Sequence, residues 1–230
     1  MSEQPRDIIR YWYDPRSAGE DGLIGVGGDL TAATLRQAYQ DGVFPWFNED
    51  DPIMWWSPDP RGVFSVAEGI YISHRLARRL RTVSWKITCN QAFSDVMQAC
   101  SVRQEGSWIH ERMIRAYSRF HRTGFAHSIE VWDSTELIGG VYGVAVGALF
   151  AAESMFHRAT DASKVALVYL MQHLRKQNFL VMDTQMTTPH TKSMGAFDIP
   201  RGCYLDILDR LAKEKDVHFQ PEQFSGEWKN

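Results

Sequence analysis

Residues 124–185 constrain the fold of this chain more than any other stretch. Within them, SIEVWDSTELIGGVYGVAVGALFAAESMF reads as three strands, at 128–132, 136–144 and 148–155. β-Branched and aromatic residues recur there between turn signals at Asp133-Ser134 and Val146-Gly147. A helix is expected at 162–177, because Leu167, Leu170, Met171 and Leu174 fall at i, i+3, i+4 and i+7 and share one buried face. Asp161 or Thr160 stands where it can cap that helix. A short apolar run at 179–182 then ends in Asp183-Thr184-Gln185. Meander, helix and returning strand predict an α+β sandwich with a mixed, largely antiparallel sheet. Glu153, among small residues on a strand, and Asp183 and Gln185, at a strand end, are the polar side chains such a scaffold would expose.

That order of elements resembles the central unit of the GNAT-type acyltransferases. Those that use coenzyme A seat its pyrophosphate on backbone amides at the helix start, in a Gln/Arg-x-x-Gly-x-Gly/Ala loop. The matching residues here are Arg158-Ala159-Thr160-Asp161-Ala162-Ser163. Asp161 puts a negative charge where a dianion should approach, and no glycine admits it to the backbone. The acyl donor is therefore expected not to be coenzyme A, and no cofactor is implied.

At 230 residues the chain can form one large domain, or a small lobe and a larger one. The division expected is an N-terminal lobe at 1–60 and a GNAT-like catalytic domain at 61–230. No apolar run approaches the roughly 20 residues that span a bilayer, and the N-terminus lacks the apolar segment of a secretory signal. Three cysteines, Cys89, Cys100 and Cys203, are odd in number and lack metal-ligand spacing. They fit reduced thiols in a cytoplasm, and no metal is expected. With a net charge of −3, any contact with nucleic acid has to be a local patch.

Seven blocks, collinear from about residue 22 to 200, resemble the leucyl/phenylalanyl-tRNA–protein transferase family. They are Gly42-Val43-Phe44-Pro45-Trp46-Phe47, Trp55-Trp56-Ser57-Pro58-Asp59-Pro60-Arg61, Glu105-Gly106-Ser107-Trp108-Ile109 and His127-Ser128-Ile129-Glu130-Val131-Trp132. Gly139-Gly140-Val141-Tyr142-Gly143-Val144, Glu153-Ser154-Met155-Phe156 and Asp183-Thr184-Gln185 complete the set. The resemblance implies transfer of Leu or Phe, less readily Met, from aminoacyl-tRNA onto proteins that begin with Arg or Lys, marking them for degradation. It assigns the pocket for the donor side chain to Trp46, Trp108, Val141 and Met155, and also to Leu167, Leu170, Leu174 and Met182. Tyr117 joins this substrate-binding set. Ala152, beside Glu153, and Thr188 depart from the family's usual glycine and asparagine.

Elsewhere the residues speak more quietly. Residues 1–21 read as a lead-in packed partly on the body, and the glycine-rich 22–29 as tight turns. Helices are expected at 31–40, 73–82, 90–101 (with Asn90 as cap), 111–122 and 204–213, and residues 186–196 as partly helical. The aromatics of 44–56 are mostly core for a small lobe, although one or two tryptophans can border a site that stacks a terminal adenosine. Helix 73–82 puts Leu76, Ala77 and Leu80 on one arc and Arg75, Arg78, Arg79 and Arg81 on the other. Such a face is either solvated surface or a phosphate-contacting patch; with no carboxylate between the arginines, tRNA binding is the expectation.

No His-Glu-x-x-His is present, since His110-Glu111 is followed by Arg112-Met113-Ile114. Ser154 lacks the flanking glycines of a nucleophile elbow, and Cys100 falls on an apolar helical stripe. Direct transfer is then the simpler chemistry. Gln185 would accept a hydrogen bond from the attacking amine, Asp183 would fix and polarise that amide, and Glu153 would attract the basic N-terminus of the acceptor. The two carboxylates have a second reading, as structural groups bonded to backbone. A coenzyme A-dependent acyltransferase and a non-catalytic binder of tRNA or basic N-termini are the alternatives, and a monomer is expected.

Overall fold

The computed structural model describes residues 11–102, 108–214, 216–222 and 224. Outside them lie residues 1–10 of the lead-in, residues 105–107 of the Glu-Gly-Ser-Trp-Ile block and residues 225–230 of the tail. The elements run β1 (Leu23–Val26), α1 (Ala32–Gln40), β2 (Phe44–Pro45), β3 (Met54–Trp56), β4 (Arg61–Ser65), α2 (His74–Thr82), β5 (Lys86–Cys89), α3 (Phe93–Ser101) and α4 (Glu111–Arg122). Then follow β6 (Ala126–Asp133), β7 (Glu136–Val146), β8 (Leu149–His157), α5 (Ala162–Lys176), β9 (Val181–Gln185), α6 (Pro189–Ser193), β10 (Phe197–Ile199) and α7 (Arg201–Leu211).

Two sheets result. β1-β3-β2 is small; the larger has the order β10-β4-β9-β8-β7-β6-β5. Its one parallel pair is β8 with β9, joined by α5 as crossover, and every other pair is antiparallel. This is the α+β sandwich the sequence predicts. β7 lies inside the sheet, between β8 and β6, and is buried along almost its whole length rather than alternately, because helices cover both faces. On one face, α5 packs its leucine stripe with Ile138, Val141 and Met182. On the other, α3 and α4 share a core with α1, α7 and the small sheet. Gly139 and Gly140 make both approaches possible: a β-carbon on Gly139 would stand 2.6 Å from Ala162 Cβ, and one on Gly140 3.0 Å from Val96.

Several local expectations change. Residues 22–29 hold strand β1, which pairs with β3 although Gly25 interrupts its apolar pattern; a β-carbon there would strike the Tyr11 carbonyl oxygen. Helix α3 starts at Phe93 with Ala92 in the cap position. Asn90 instead takes a left-handed φ of 58°, and its side-chain oxygen accepts from the Ser128 backbone N–H. Asp161 occupies the cap position of α5 at φ 69° but makes no capping hydrogen bond. A lost cap costs about 1 kcal/mol, whereas each buried leucine of the stripe contributes about 1.5–3 kcal/mol, so packing decides that α5 forms. Asp183 and Gln185 lie within β9 rather than beyond a strand at 179–182. The last helix begins at Arg201, three residues earlier than its apolar spacing shows.

The close crossing of α5 over β7 is testable. Gly139→Ala should push α5 outward and lower unfolding stability by about 1–3 kcal/mol, the usual cost of overpacking, read from urea midpoints.

Candidate active site

The parallel ladder between β8 and β9 pairs Leu149 with Val181, Phe150 with Met182 and Ala151 with Asp183. Directly beyond that last pair the strands part, and a cavity of about 250 Å³ opens between them. Two backbone features steer the strands apart. β8 shifts register against β7 between Ser154 and Ala152, which leaves Glu153 as an extra, bulged residue. Gln185 ends β9 with a left-handed φ of 58°, a conformation that non-glycine residues keep only when their surroundings enforce it. Phe64, Val141, Met155 and Leu167 form apolar wall; Glu153, Gln185, Thr188 and Thr191 are among its polar members.

Glu153 and Gln185 meet at this opening. Gln185 Nε2 donates to Glu153 Oε1 at 2.7 Å. That bond commits the nitrogen end of the amide to the carboxylate and leaves its oxygen end for the cavity. Tyr39 on α1 lies near Glu153, and its hydroxyl is 2.5 Å from that of Tyr117 on α4. Burial of its carboxyl end pushes the Glu153 pKa up to about 8, against the lowering effect of the nearby Tyr39 hydroxyl; Asp183 adds to the rise.

Asp183 lies in a different environment, fully buried on the opposite side of the strand from Met182. Arg61 on β4 grips it through two parallel bonds, Nε to Oδ1 at 2.9 Å and Nη2 to Oδ2 at 2.6 Å. Tyr204 Oη donates to Oδ2 at 2.9 Å, and the Gln185 backbone N–H donates to Oδ1 at 2.8 Å. Asp183 therefore holds the main chain of Gln185, and not its side-chain amide as the sequence suggested. With four donors on two oxygens it is an anchor, its lone pairs taken up by the protein.

The other expected residues separate into groups. Val141, Met155 and Leu167 line the cavity. Leu170, Leu174 and Met182 lie in the core between α5 and the sheet, outside its wall. Tyr117 is fully buried and reaches the site only through Tyr39. Trp46 is 40% exposed and tilts against Trp56 at 5.7 Å, and half-buried Trp108 packs on the core beside α4; neither is part of the cavity wall. Tyr39 and Arg61 were missed as site residues: Tyr39 reads as one more helical aromatic, and Arg61 as the last residue of a family block.

On α2, Leu76 and Leu80 are buried while Arg75, Arg78 and Arg81 are exposed. Arg79 is partly covered by Trp85, 5.8 Å from its ring. The Asp161 side chain is only 7% exposed and draws in Arg75 at 3.5 Å, Arg79 at 4.0 Å and Lys164 at 3.5 Å. Pairs this long on exposed arginines contribute about 0–1 kcal/mol each, so Asp161 orients them without removing them from competition for another anion. Among the described residues no three His, Cys, Asp or Glu side chains converge as a metal site, and no helix is long and apolar enough to cross a membrane.

The raised pKa of Glu153 carries a stability signature. Between the unfolded value near 4.5 and the folded value near 8, only the folded state keeps the proton. Its contribution is complete below pH 4.5 and is lost as pH rises through 8. Glu153→Gln cannot titrate, so it should gain on the parent by up to about 1.4 kcal/mol per pH unit across this window, measured as the difference in urea midpoints.

Comparison with known proteins agrees with the blocks seen in the sequence. Residues 63–209 match the family described as leucyl/phenylalanyl-tRNA protein transferase, and residues 28–59 match the N-terminal domain of the same enzymes. The leucyl/phenylalanyl-tRNA–protein transferase of Shewanella baltica strain OS155 is 50% identical over 194 residues, 83% of this chain and 81% of the relative. Its namesake in Shewanella sp. strain W3-18-1 is 47% identical over 201 residues, 86% of this chain and 84% of that protein. The one in Hydrogenovibrio crunogenus is 45% identical over 212 residues, 90% and 82% of the two chains. The extent and level of this identity, over both the small sheet and the large one, place the chain in the leucyl/phenylalanyl-tRNA–protein transferase family.

Proposed function

We propose that this protein moves Leu or Phe, and less readily Met, from aminoacyl-tRNA to the α-amine of proteins that begin with Arg or Lys, creating a degradation signal in the cytoplasm. The observation that carries the reading is the amide of Gln185 at an apolar-walled cavity, its nitrogen end occupied by Glu153. An aminoacyl ester is already activated, so the chemistry asks for no further energy source. The acceptor amine has an ordinary pKa of about 7.7–8.0 and is partly neutral near pH 7. Its nitrogen attacks the ester carbonyl while Gln185 Oε1 accepts one N–H, which orients the lone pair. The amide bond forms as the bond to the ribose oxygen breaks, and the proton released by nitrogen passes to that oxygen. Holding ester and amine together accounts for much of the rate in such a mechanism.

Asp183 supports this role by fixing the Gln185 backbone through its ion pair with Arg61. Glu153, which ionises as pH rises through about 8, is the acidic group at the cavity for the acceptor's basic terminus. Val141, Met155 and Leu167 receive the donor side chain, and Leu170, Leu174 and Met182 shape the pocket from behind. The exposed ring of Trp46 is placed here as a stacking surface for the terminal adenosine, with Trp108 a second wall. Arg75, Arg78, Arg79 and Arg81 contact the acceptor stem. The Asp161 carboxylate at the start of α5 disfavours coenzyme A as donor, because a pyrophosphate would meet like charge there.

Transfer of radiolabelled Leu from Leu-tRNA to an Arg-initiated peptide tests the whole reading. Gln185→Ala should lower kcat/KM by about 100-fold or more with an unchanged thermal midpoint, within the range for a lost positioning group; near-normal turnover would overturn the assignment. Arg78→Ala or Arg81→Ala should weaken tRNA binding and reduce the slope of log K against log salt by about 1 for each phosphate that is no longer neutralised.

A further inference from the structure

Helix α4 carries a charge pattern that its own stability does not call for. Its twelve residues hold four arginines, Arg112, Arg115, Arg119 and Arg122, against one carboxylate, Glu111. All four arginines are exposed. At about 100° per residue they fall within one arc of about 80°, turned away from the buried Met113, Ala116, Tyr117 and Phe120. Cations in a last helical turn favour the macrodipole, which accounts for Arg119 and Arg122. Arg112 is in the first turn, where a positive charge is unfavourable. The steps from 112 to 115, 115 to 119 and 119 to 122 also set like charges three or four residues apart, which destabilises a helix. Among the described residues the stripe makes one ion pair, Arg115 with Glu111 at 3.6 Å, between side chains that are both more than half exposed. So weak a pair leaves Arg115 open to another anion.

The stripe begins beside the aromatic residues of the small lobe. Arg112 Cζ lies 5.5 Å from the ring centre of Phe47, the neighbour of Trp46 in the chain. From there Arg115, Arg119 and Arg122 lead away along about 15 Å of helix. Arg36 of α1 is exposed as well and stacks over Phe125 at 4.6 Å, and Phe125 stacks on Phe120 of α4. It adds a fifth guanidinium near the far end. The buried side of α4 packs in the core that α1, α3 and α7 share, whereas Leu76 and Leu80 of α2 pack with α5 on the other face of the large sheet. The two arginine faces are therefore separate surfaces.

We propose that the arginine stripe of α4 is a second RNA-binding surface, which grips backbone phosphates of the donor tRNA apart from those held by α2. The inference rests on aminoacyl-tRNA as the donor and goes beyond the acceptor-stem contacts given to α2. Each guanidinium is a planar fork that matches a phosphate, and every cation of the stripe is an arginine. Charges spaced along one line suit a polymer whose strand repeats its phosphates at short intervals. Because the stripe starts next to Trp46, the strand reaches α4 from the terminal adenosine placed there.

The test compares the parent chain with the triple variant Arg115→Gln, Arg119→Gln and Arg122→Gln, which leaves Arg112 on Phe47. Binding of uncharged leucine tRNA is followed between about 50 and 200 mM salt, where the slope of log K against log salt should fall by about 2. With Leu-tRNA and an Arg-initiated peptide, kcat/KM should drop about tenfold through the KM for tRNA, with kcat within about twofold. Leucyl-adenosine has no phosphate, so variant and parent should use it equally well. The thermal midpoint should hold or rise, because like-charge pairs are removed. The corresponding Lys triple should keep most of the salt slope, since counterion release follows charge.

Unchanged tRNA affinity and slope would overturn the proposal and leave the stripe as solvated surface. A change confined to the KM of an acidic acceptor would overturn it in favour of a protein partner, and a loss with leucyl-adenosine too would reduce it to packing. The parent chain keeps the two readings apart. If the parent neither binds tRNA nor transfers from Leu-tRNA, the donor assignment fails; if it does both and the triple variant matches it, only the stripe fails.

Discussion

The ion pair between Arg61 and Asp183 ties together more of this structure than any other contact. Both side chains are buried, 122 residues apart in sequence, on adjacent strands β4 and β9. Taking two charges out of water costs several kcal/mol each, and attraction offsets this only where geometry is good and every remaining donor is used. Here the fork is bidentate, a third arm reaches the Gly42 carbonyl oxygen at 3.1 Å, and the Tyr204 hydroxyl bridges to both partners. The guanidinium also stacks over the rings of Tyr204 and Phe44. One pair thus gathers the turn after α1, strand β4, strand β9 and helix α7. Its output is local: the remaining capacity of Asp183 goes to the backbone N–H of Gln185.

Two carboxylates lie within a few residues of the opening, and their environments give them opposite characters. Asp183 faces a matched cation and accepts further hydrogen bonds from Tyr204 and the Gln185 backbone, so its charge is fully compensated. Glu153 faces neutral donors and a pair whose charges cancel, so burial dominates and its pKa rises to about 8. A carboxylate gripped by arginine is a firm anchor; one held by neutral donors responds to pH. The sequence pairs Asp183 and Gln185 by proximity in the chain, whereas the structure couples the side chain of Gln185 to Glu153, from another strand.

What could be read in the sequence follows how local its causes are. The meander at 126–157 and the leucine stripe of α5 are set by residues a few positions apart, and their boundaries came within a few residues of the observed ones. The arginine face of α2 was equally legible, since Leu76 and Leu80 alone fix which side is buried. The partner of Asp183 was not, because nothing near residue 183 marks Arg61 as adjacent. Tyr39 was missed for the same reason: its hydroxyl meets that of Tyr117 only after α1 has docked beside α4. Glycine misled where it serves close approach rather than a turn. Gly25 lies within a strand because the backbone of Tyr11 passes against it. Asp161 and Asn90 carry favourable capping chemistry, yet both take left-handed backbone and spend their side chains elsewhere, on arginines and on β6.

Asp161 also shapes how a polyanion can approach. A helix start bare of carboxylates attracts phosphate, and α5 begins beside the cavity wall that includes Leu167. An acidic side chain at that start opposes the attraction and orients Arg75, Arg79 and Lys164 around itself. Arg75, Arg78 and Arg81 are exposed on α2. The positive field available to a nucleic acid is thereby moved off the crossover helix and onto a separate surface. For a donor delivered on a long RNA, as in the proposed reaction, this division is useful: the phosphates are held at a distance while the uncharged ester end enters an apolar opening. A small anionic carrier such as coenzyme A needs the opposite arrangement, with the phosphate site and the reacting carboxyl on the same few residues.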